Sequence, residues 1–239
     1  MKGLKNLTNK MNRVYPKIEA KTYKWILALL VSIASFYGVG IIFYVFNIKS
    51  EILGAVAVSA LCLLSLLIVD RDFIKKIFLP MKKKDIFYII LGLLFCAVAI
   101  VISSIVMQQF GIEGNTNPIF ESLNPDNFKD FFVSTIIQFI AEEIIFIIPF
   151  LFVINKMKTE NETFKNICAI ILSSVIFGAM HITTYNFNIL QAVLIISIIR
   201  AGLSMSYVLS KNLTVTYLIH IIYDWSLIGL YITAGNIIN

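Results

Sequence analysis

Seven long apolar runs divide the chain: Trp25–Phe46, Ile52–Val69, Ile86–Met107, Phe131–Ile154, Asn166–Thr183, Ile189–Leu209 and Leu213–Ala234. Each is about 18 residues or longer, the length at which a helix rising 1.5 Å per residue begins to cross a hydrocarbon core ~30 Å thick. The pattern predicts an all-α, polytopic transmembrane bundle of about seven spans. Polar interruptions are concentrated in the last four spans: Glu142 and Glu143, His181, Arg200, His220 and Asp224, a set that includes both histidines of the chain.

The connections between the runs are charged unequally. Counted alternately, 17 of the 20 Lys and Arg residues fall on the side of residues 1–24, two (Lys49 and Lys129) fall on the other, and Arg200 lies inside a span. Basic residues accumulate in cytoplasmic loops. The expected topology therefore has the N-terminus cytoplasmic and the C-terminus outside. Residues 1–24 read as a solvated basic cytoplasmic arm and residues 25–239 as one membrane domain. The long connection Gln108–Asp130, acidic and containing two Gly and two Pro, is expected on the outer side.

Composition agrees with the pattern. The 239 residues are 59% hydrophobic and 14% charged, with mean hydropathy +0.86, whereas a soluble domain carries about a quarter charged residues. The pI of about 9.1 could suggest a nucleic-acid partner, but the basic residues follow topology, so contact with anionic lipid explains them and no nucleic acid is expected. Cys62, Cys96 and Cys168 sit in apolar runs without metal-ligand spacing and read as packing residues. With no apolar h-region ahead of it, the first span serves as the targeting signal. The Ile-, Lys- and Asn-rich usage suggests a bacterial cell membrane.

A charged side chain at bilayer depth costs at least about 2.5–3.5 kcal/mol on insertion scales, so such residues face one another or a wet cavity. A polar site shared by the last four spans is the simplest arrangement. Phe177 and His181 are four apart and share a helix face, as do His220 and Asp224. Glu142 and Glu143 are adjacent, ~100° apart, so one points more fully at the site than the other. Depth raises a difficulty. Glu142, Arg200 and Asp224 fall near mid-membrane, His220 about seven residues (~10 Å) from the basic end of its span, and His181 near the opposite end. Strong tilt, or a helix starting deep in the membrane, is needed to unite them.

Glu142-Glu143 in one span, Phe177-x-x-x-His181 in the next and His220-x-x-x-Asp224 in the last, in that order, resemble the CPBP family: intramembrane proteases related to the CAAX prenyl endopeptidase, also called Abi proteins. The resemblance covers about residues 130–230. It departs from the family in one clear place: the family's Glu-Glu-x-x-x-Arg has Ile147 at the Arg position, while the late motif, His-x-x-x-Asn/Asp, has Asp224 at its last position. Arg200 is the candidate replacement countercharge, paired with Glu143 or with Asp224.

The resemblance implies Glu142, Glu143, His181, His220 and Asp224 as catalytic residues, with Phe177 and Arg200 supporting. Glu142 with His181 would position and activate water, a buried glutamate being a suitable general base. His220 and the residue at 224 would stabilise the oxyanion, although an ionised Asp224 cannot donate to one and would need a proton or a different role, such as holding the tautomer of His220. A divalent metal such as Zn²⁺ held by His181, His220 and Glu142 is the other arrangement, two imidazoles and a carboxylate leaving a position open for water. The cofactor is thus Zn²⁺ or none.

The function expected is hydrolysis of a peptide bond in a small membrane-associated peptide or lipopeptide, of the pheromone or bacteriocin precursor type. The alternative is a non-catalytic scaffold or bacteriocin-immunity protein that binds a membrane partner such as a sensor or cell-wall enzyme. A proton-coupled transporter is disfavoured by the absence of an inverted repeat or paired broken helices.

Overall fold

The computed structural model describes residues 13–118, 123 and 127–236. Among these, seven helical segments are long and apolar enough to cross a membrane. They are α1 (Thr22–Val45), α2 (Glu51–Val69), α4 (Lys83–Phe110), α5 (Phe128–Lys156), α6 (Glu162–Met180), α7 (Ser197–Ser210) entered through a π-helical stretch Leu190–Ile196, and α8 (Leu213–Tyr231), which runs on into a second π-helical stretch Ile232–Asn236. A short helix α3 (Phe73–Ile77) lies between α2 and α4. All seven expected spans are present. Side-chain oxygens of Ser50, Asn161 and Asn212 accept backbone N–H groups at the starts of α2, α6 and α8, satisfying donors that a helix N-terminus otherwise leaves open. Gly111, at φ 59°, closes α4 in the left-handed conformation that glycine adopts without a Cβ penalty.

α5 is the axis of the bundle. In its most apolar stretch 72% of residues are buried, against 17% in α1 and 22% in α4. It packs on α1, α2, α6 and α8, while α7 is clasped between α4, α6 and α8. The main core gathers Trp25, Phe73, Phe146, Phe150 and Tyr207 around it. The outer faces of α1, α2 and α4 expose Leu30, Ile41, Leu64, Ile90, Leu94 and Ile102. Such a broad apolar belt suits contact with lipid rather than water.

The basic arm differs from expectation. Residues 1–12 lie outside the described residues; within 13–21, Ile18 and Ala20 are buried and Arg13 and Tyr15 partly so, while Val14, Lys17, Glu19 and Lys21 are exposed. Arg13 forks onto buried Asp85 at 2.6 and 2.8 Å and donates to the carbonyls of Pro80 and Ser210. Tyr15 rests against Phe150 and Tyr207 and donates to Asn166, and Ile18 is 3% exposed. An arginine that finds a buried carboxylate and two carbonyls gives up less solvation than its positive charge alone suggests.

The start of α8 bears on how His220 reaches the site. Asn212 and Leu213 are wholly buried, and the Asn212 amide pairs with both the N–H and the carbonyl of Leu79. α8 therefore begins inside the protein, beneath the α3–α4 connection, and His220, further along it, is 5% exposed. At the opposite face His181 is the C-cap of α6. Turns follow there, with Tyr185 8% exposed, before the π-helical stretch.

Candidate active site

Glu143, on the central helix and 0% exposed, is the hub. Arg200 of α7 donates from its two Nη atoms to the two carboxylate oxygens, at 2.6 and 2.9 Å. His220 of α8 places Nδ1 2.8 Å from Glu143 Oε1. A carboxylate accepts, so Nδ1 carries the hydrogen. The Arg200 guanidinium also lies over the rings of Phe146, at 4.0 Å, and Phe177, at 4.7 Å. Aromatic faces favour a desolvated cation, and the bidentate fork suits guanidinium better than ammonium. The cation missing at Ile147 is thus supplied from another helix.

Glu142 faces differently. Gln138, one turn earlier, donates to its Oε1 at 3.1 Å, and its Oε2 is 3.7 Å from His220 Nε2. His220 Nε2 is closer, at 3.1 Å, to Asp224 Oδ2. A ring with hydrogen on both nitrogens satisfies Glu143 and Asp224 together; a neutral ring does so if Asp224 carries the proton. Phe139 stacks on the His220 ring at 4.4 Å and 18° between planes, fixing its orientation.

His181 has Nδ1 2.9 Å from the Phe177 carbonyl. The carbonyl requires the hydrogen on Nδ1, which leaves Nε2 as an acceptor. Glu142, Phe177, His181, Arg200, His220 and Asp224 all line one cavity of about 300 Å³ between α5, α6, α7 and α8. Each candidate residue from the sequence is therefore at this cavity or, for Glu143, immediately behind it.

Two features hold the walls together. Gly178 lets α6 meet the π-helical stretch: a Cβ there would stand 2.5 Å from the Ala192 carbonyl and collide with Ser197 Oγ. At the opposite face, Asn115 and Gln191 exchange hydrogen bonds between backbone and side-chain amide at 2.8 and 2.9 Å. Asn115 also donates to the Tyr185 carbonyl. This ties the α4–α5 connection to the turns after His181, and Asn117 from the same connection lines the cavity.

Sequence reasoning did not single out Gln138, Phe139 or Phe146. Gln138 and Phe146 were within reach, one turn before Glu142 and three residues after Glu143. Nothing in the sequence pairs Phe139 with His220. As a metal-holding group the expected set does not fit its present arrangement: among the described residues no three His, Cys, Asp or Glu side chains gather to hold an ion, and both His220 nitrogens already have carboxylate neighbours.

The fold and this cavity define a multi-pass helical membrane protein with a buried acid–base cluster. Residues 124–226 match the family described as Rce1-like, type II CAAX prenyl endopeptidase Rce1-like. That family is the CPBP group of membrane proteases, so the resemblance carried by the three motifs holds over this part of the chain. Searches of curated proteins and of solved structures return no match.

Proposed function

We propose that the protein is an intramembrane endopeptidase that hydrolyses a peptide bond in a small membrane-associated peptide at the α5–α8 cavity. The observation that carries this reading is the convergence of Glu142, His220, Asp224 and, through Glu143, Arg200 within one cavity that His181 also lines. The cation gripping Glu143 keeps that carboxylate from competing for the catalytic proton. Glu142 is left as the base.

In this reading water sits between Glu142 and the His181 Nε2. Glu142 takes its proton as the oxygen attacks the substrate carbonyl. The oxyanion forms beside His220 Nε2, whose ring is held by Glu143 and Phe139. Asp224, a carboxylate, does not donate to the oxyanion; it holds the Nε2 hydrogen until the oxyanion develops. The proton on Glu142 passes to the leaving nitrogen as the C–N bond breaks, giving a carboxylate and an amine. Preorganised donors in a water-poor cavity are worth more than in solvent. A bacterial cell membrane and a pheromone- or bacteriocin-type precursor suit the composition and the small cavity.

The test replaces Glu142, His181 and His220 singly and follows both protein level and cleavage of co-expressed candidate peptides by mass spectrometry. Processing lost at normal protein level supports the hydrolase. Processing, or host immunity, that survives all three changes favours the scaffold that acts by binding.

A further inference from the structure

A second cavity, of about 350 Å³, opens between α1, α2 and α5. Its walls are mostly apolar, small at Gly40, Ala55 and Val58 and aromatic at Phe43 and Phe131, with the hydroxyls of Ser134 and Thr135 on the α5 side. Phe36 and Gln138 line both this cleft and the site cavity. Gln138 is the residue that donates to Glu142, so one side chain separates the cleft from the candidate base. At the far end stands Glu51, the first residue of α2, solvent-exposed and without an ion pair among the described residues.

We infer that this cleft seats an apolar segment of the substrate peptide whose basic side chain meets Glu51. The inference rests on the protease reading above and names the chemistry of what that site receives. Charge decides the occupant. A fatty chain would need only the apolar walls, whereas a carboxylate at the mouth of an otherwise uncharged cleft complements a Lys or Arg. Geometry sets the spacing. From Glu51 to Val58 is seven residues of helix, about 10 Å at 1.5 Å per residue, which an extended peptide spans in about three residues at ~3.3 Å each. The segment seated in the cleft therefore carries about three apolar residues next to its basic residue, on the side that leads past Gln138 toward Glu142.

The test uses the full chain in proteoliposomes with a photoreactive residue at Val58, which lines the cleft. The probes are a biotinylated peptide of sequence Lys-Leu-Ile-Phe-Gly-Ala, its Glu-for-Lys counterpart, and a photoreactive diacyl phospholipid. Labelling by the Lys peptide is expected to exceed that by the Glu peptide. Glu51→Lys should reverse the preference by roughly five-fold, the scale of one partly exposed ion pair. Gly40→Leu should abolish labelling, because nothing lies within 4 Å of a Cβ at Gly40 and the added side chain has room to fill the cleft. Labelling indifferent to peptide charge and to Glu51 would overturn the inference. So would displacement of the peptide by the lipid probe, which makes the cleft a lipid seat. Charge-selective labelling with no cleavage, in protein where Glu142→Gln changes nothing, would support the peptide seat while overturning the protease reading alone.

Discussion

Arg200 and Glu143, 57 positions apart, form a two-point ion pair with both side chains at most 1% exposed. The pair joins α7 to the central helix at the level of the candidate base. It restores in space a countercharge that the local motif lacks at Ile147.

Breaking this pair should cost stability before it costs chemistry. Removing one partner of a buried ion pair typically costs about 3–5 kcal/mol, because the other charge is left uncompensated. Arg200→Met should lower the melting temperature in detergent sharply. Arg200→Lys should recover little, since ammonium cannot reproduce the fork or lie flat on Phe146 and Phe177. The double variant Arg200→Met with Glu143→Gln should melt above either single variant, as followed by intrinsic fluorescence.

The adjacent glutamates should separate by phenotype. Glu142→Gln removes the base from a position held by one hydrogen bond, from Gln138, and a longer approach to His220, so peptide cleavage should fall by about 10²–10⁴-fold with little change in melting temperature. Glu143→Gln should reduce both, because it orphans Arg200 and releases His220 Nδ1. The check is a paired measurement of cleavage rate and thermal unfolding on the same preparations.

Asp224 supports His220 Nε2 without serving as an oxyanion donor in its ionised form. Asp224→Asn keeps a hydrogen-bonding group and adds N–H donors, so cleavage should stay within about ten-fold of the parent or rise. Asp224→Leu should lose considerably more, since a positioned hydrogen bond to a charged group is worth about 1.5–3 kcal/mol. Rates with a fixed peptide, compared across the two variants, decide the point.

The Arg13–Asp85 latch should behave as part of the fold. Asp85 is 0% exposed and also accepts the backbone N–H of Lys82 at the start of α4. Arg13→Ala should destabilise by about 3 kcal/mol or more. It should also open residues 13–21 to limited proteolysis, with the new cleavage mapped by mass spectrometry.

Gly178 should tolerate no side chain larger than hydrogen without a shift of backbone. The nearest obstacles include the Ala192 carbonyl at 2.5 Å, which is main chain and does not rotate away. Gly178→Ala should loosen α6 against the π-helical stretch and displace His181. Its signature is a loss of cleavage accompanied by a lower melting temperature, relieved in part by Ser197→Gly, which removes the other obstacle.

Much of this protein was legible in the chain itself. The seven spans followed from apolar length, because a membrane segment must satisfy its own backbone hydrogen bonds and a helix does so locally. The cost of charge in hydrocarbon singled out Glu142, Glu143, His181, Arg200, His220 and Asp224, and helical spacing paired Phe177 with His181 and His220 with Asp224. Only the tertiary structure decided the rest. Whether Arg200 met Glu143 or Asp224 depended on the rotation and depth of three separate helices, which no local periodicity encodes. That α8 begins inside the protein, capped by Asn212 on Leu79, came from a contact between residues 133 positions apart. That Arg13 turns inward followed from one buried carboxylate, Asp85, 72 positions away. Local pattern determines which residues enter the membrane; the packing of distant helices determines which of them meet.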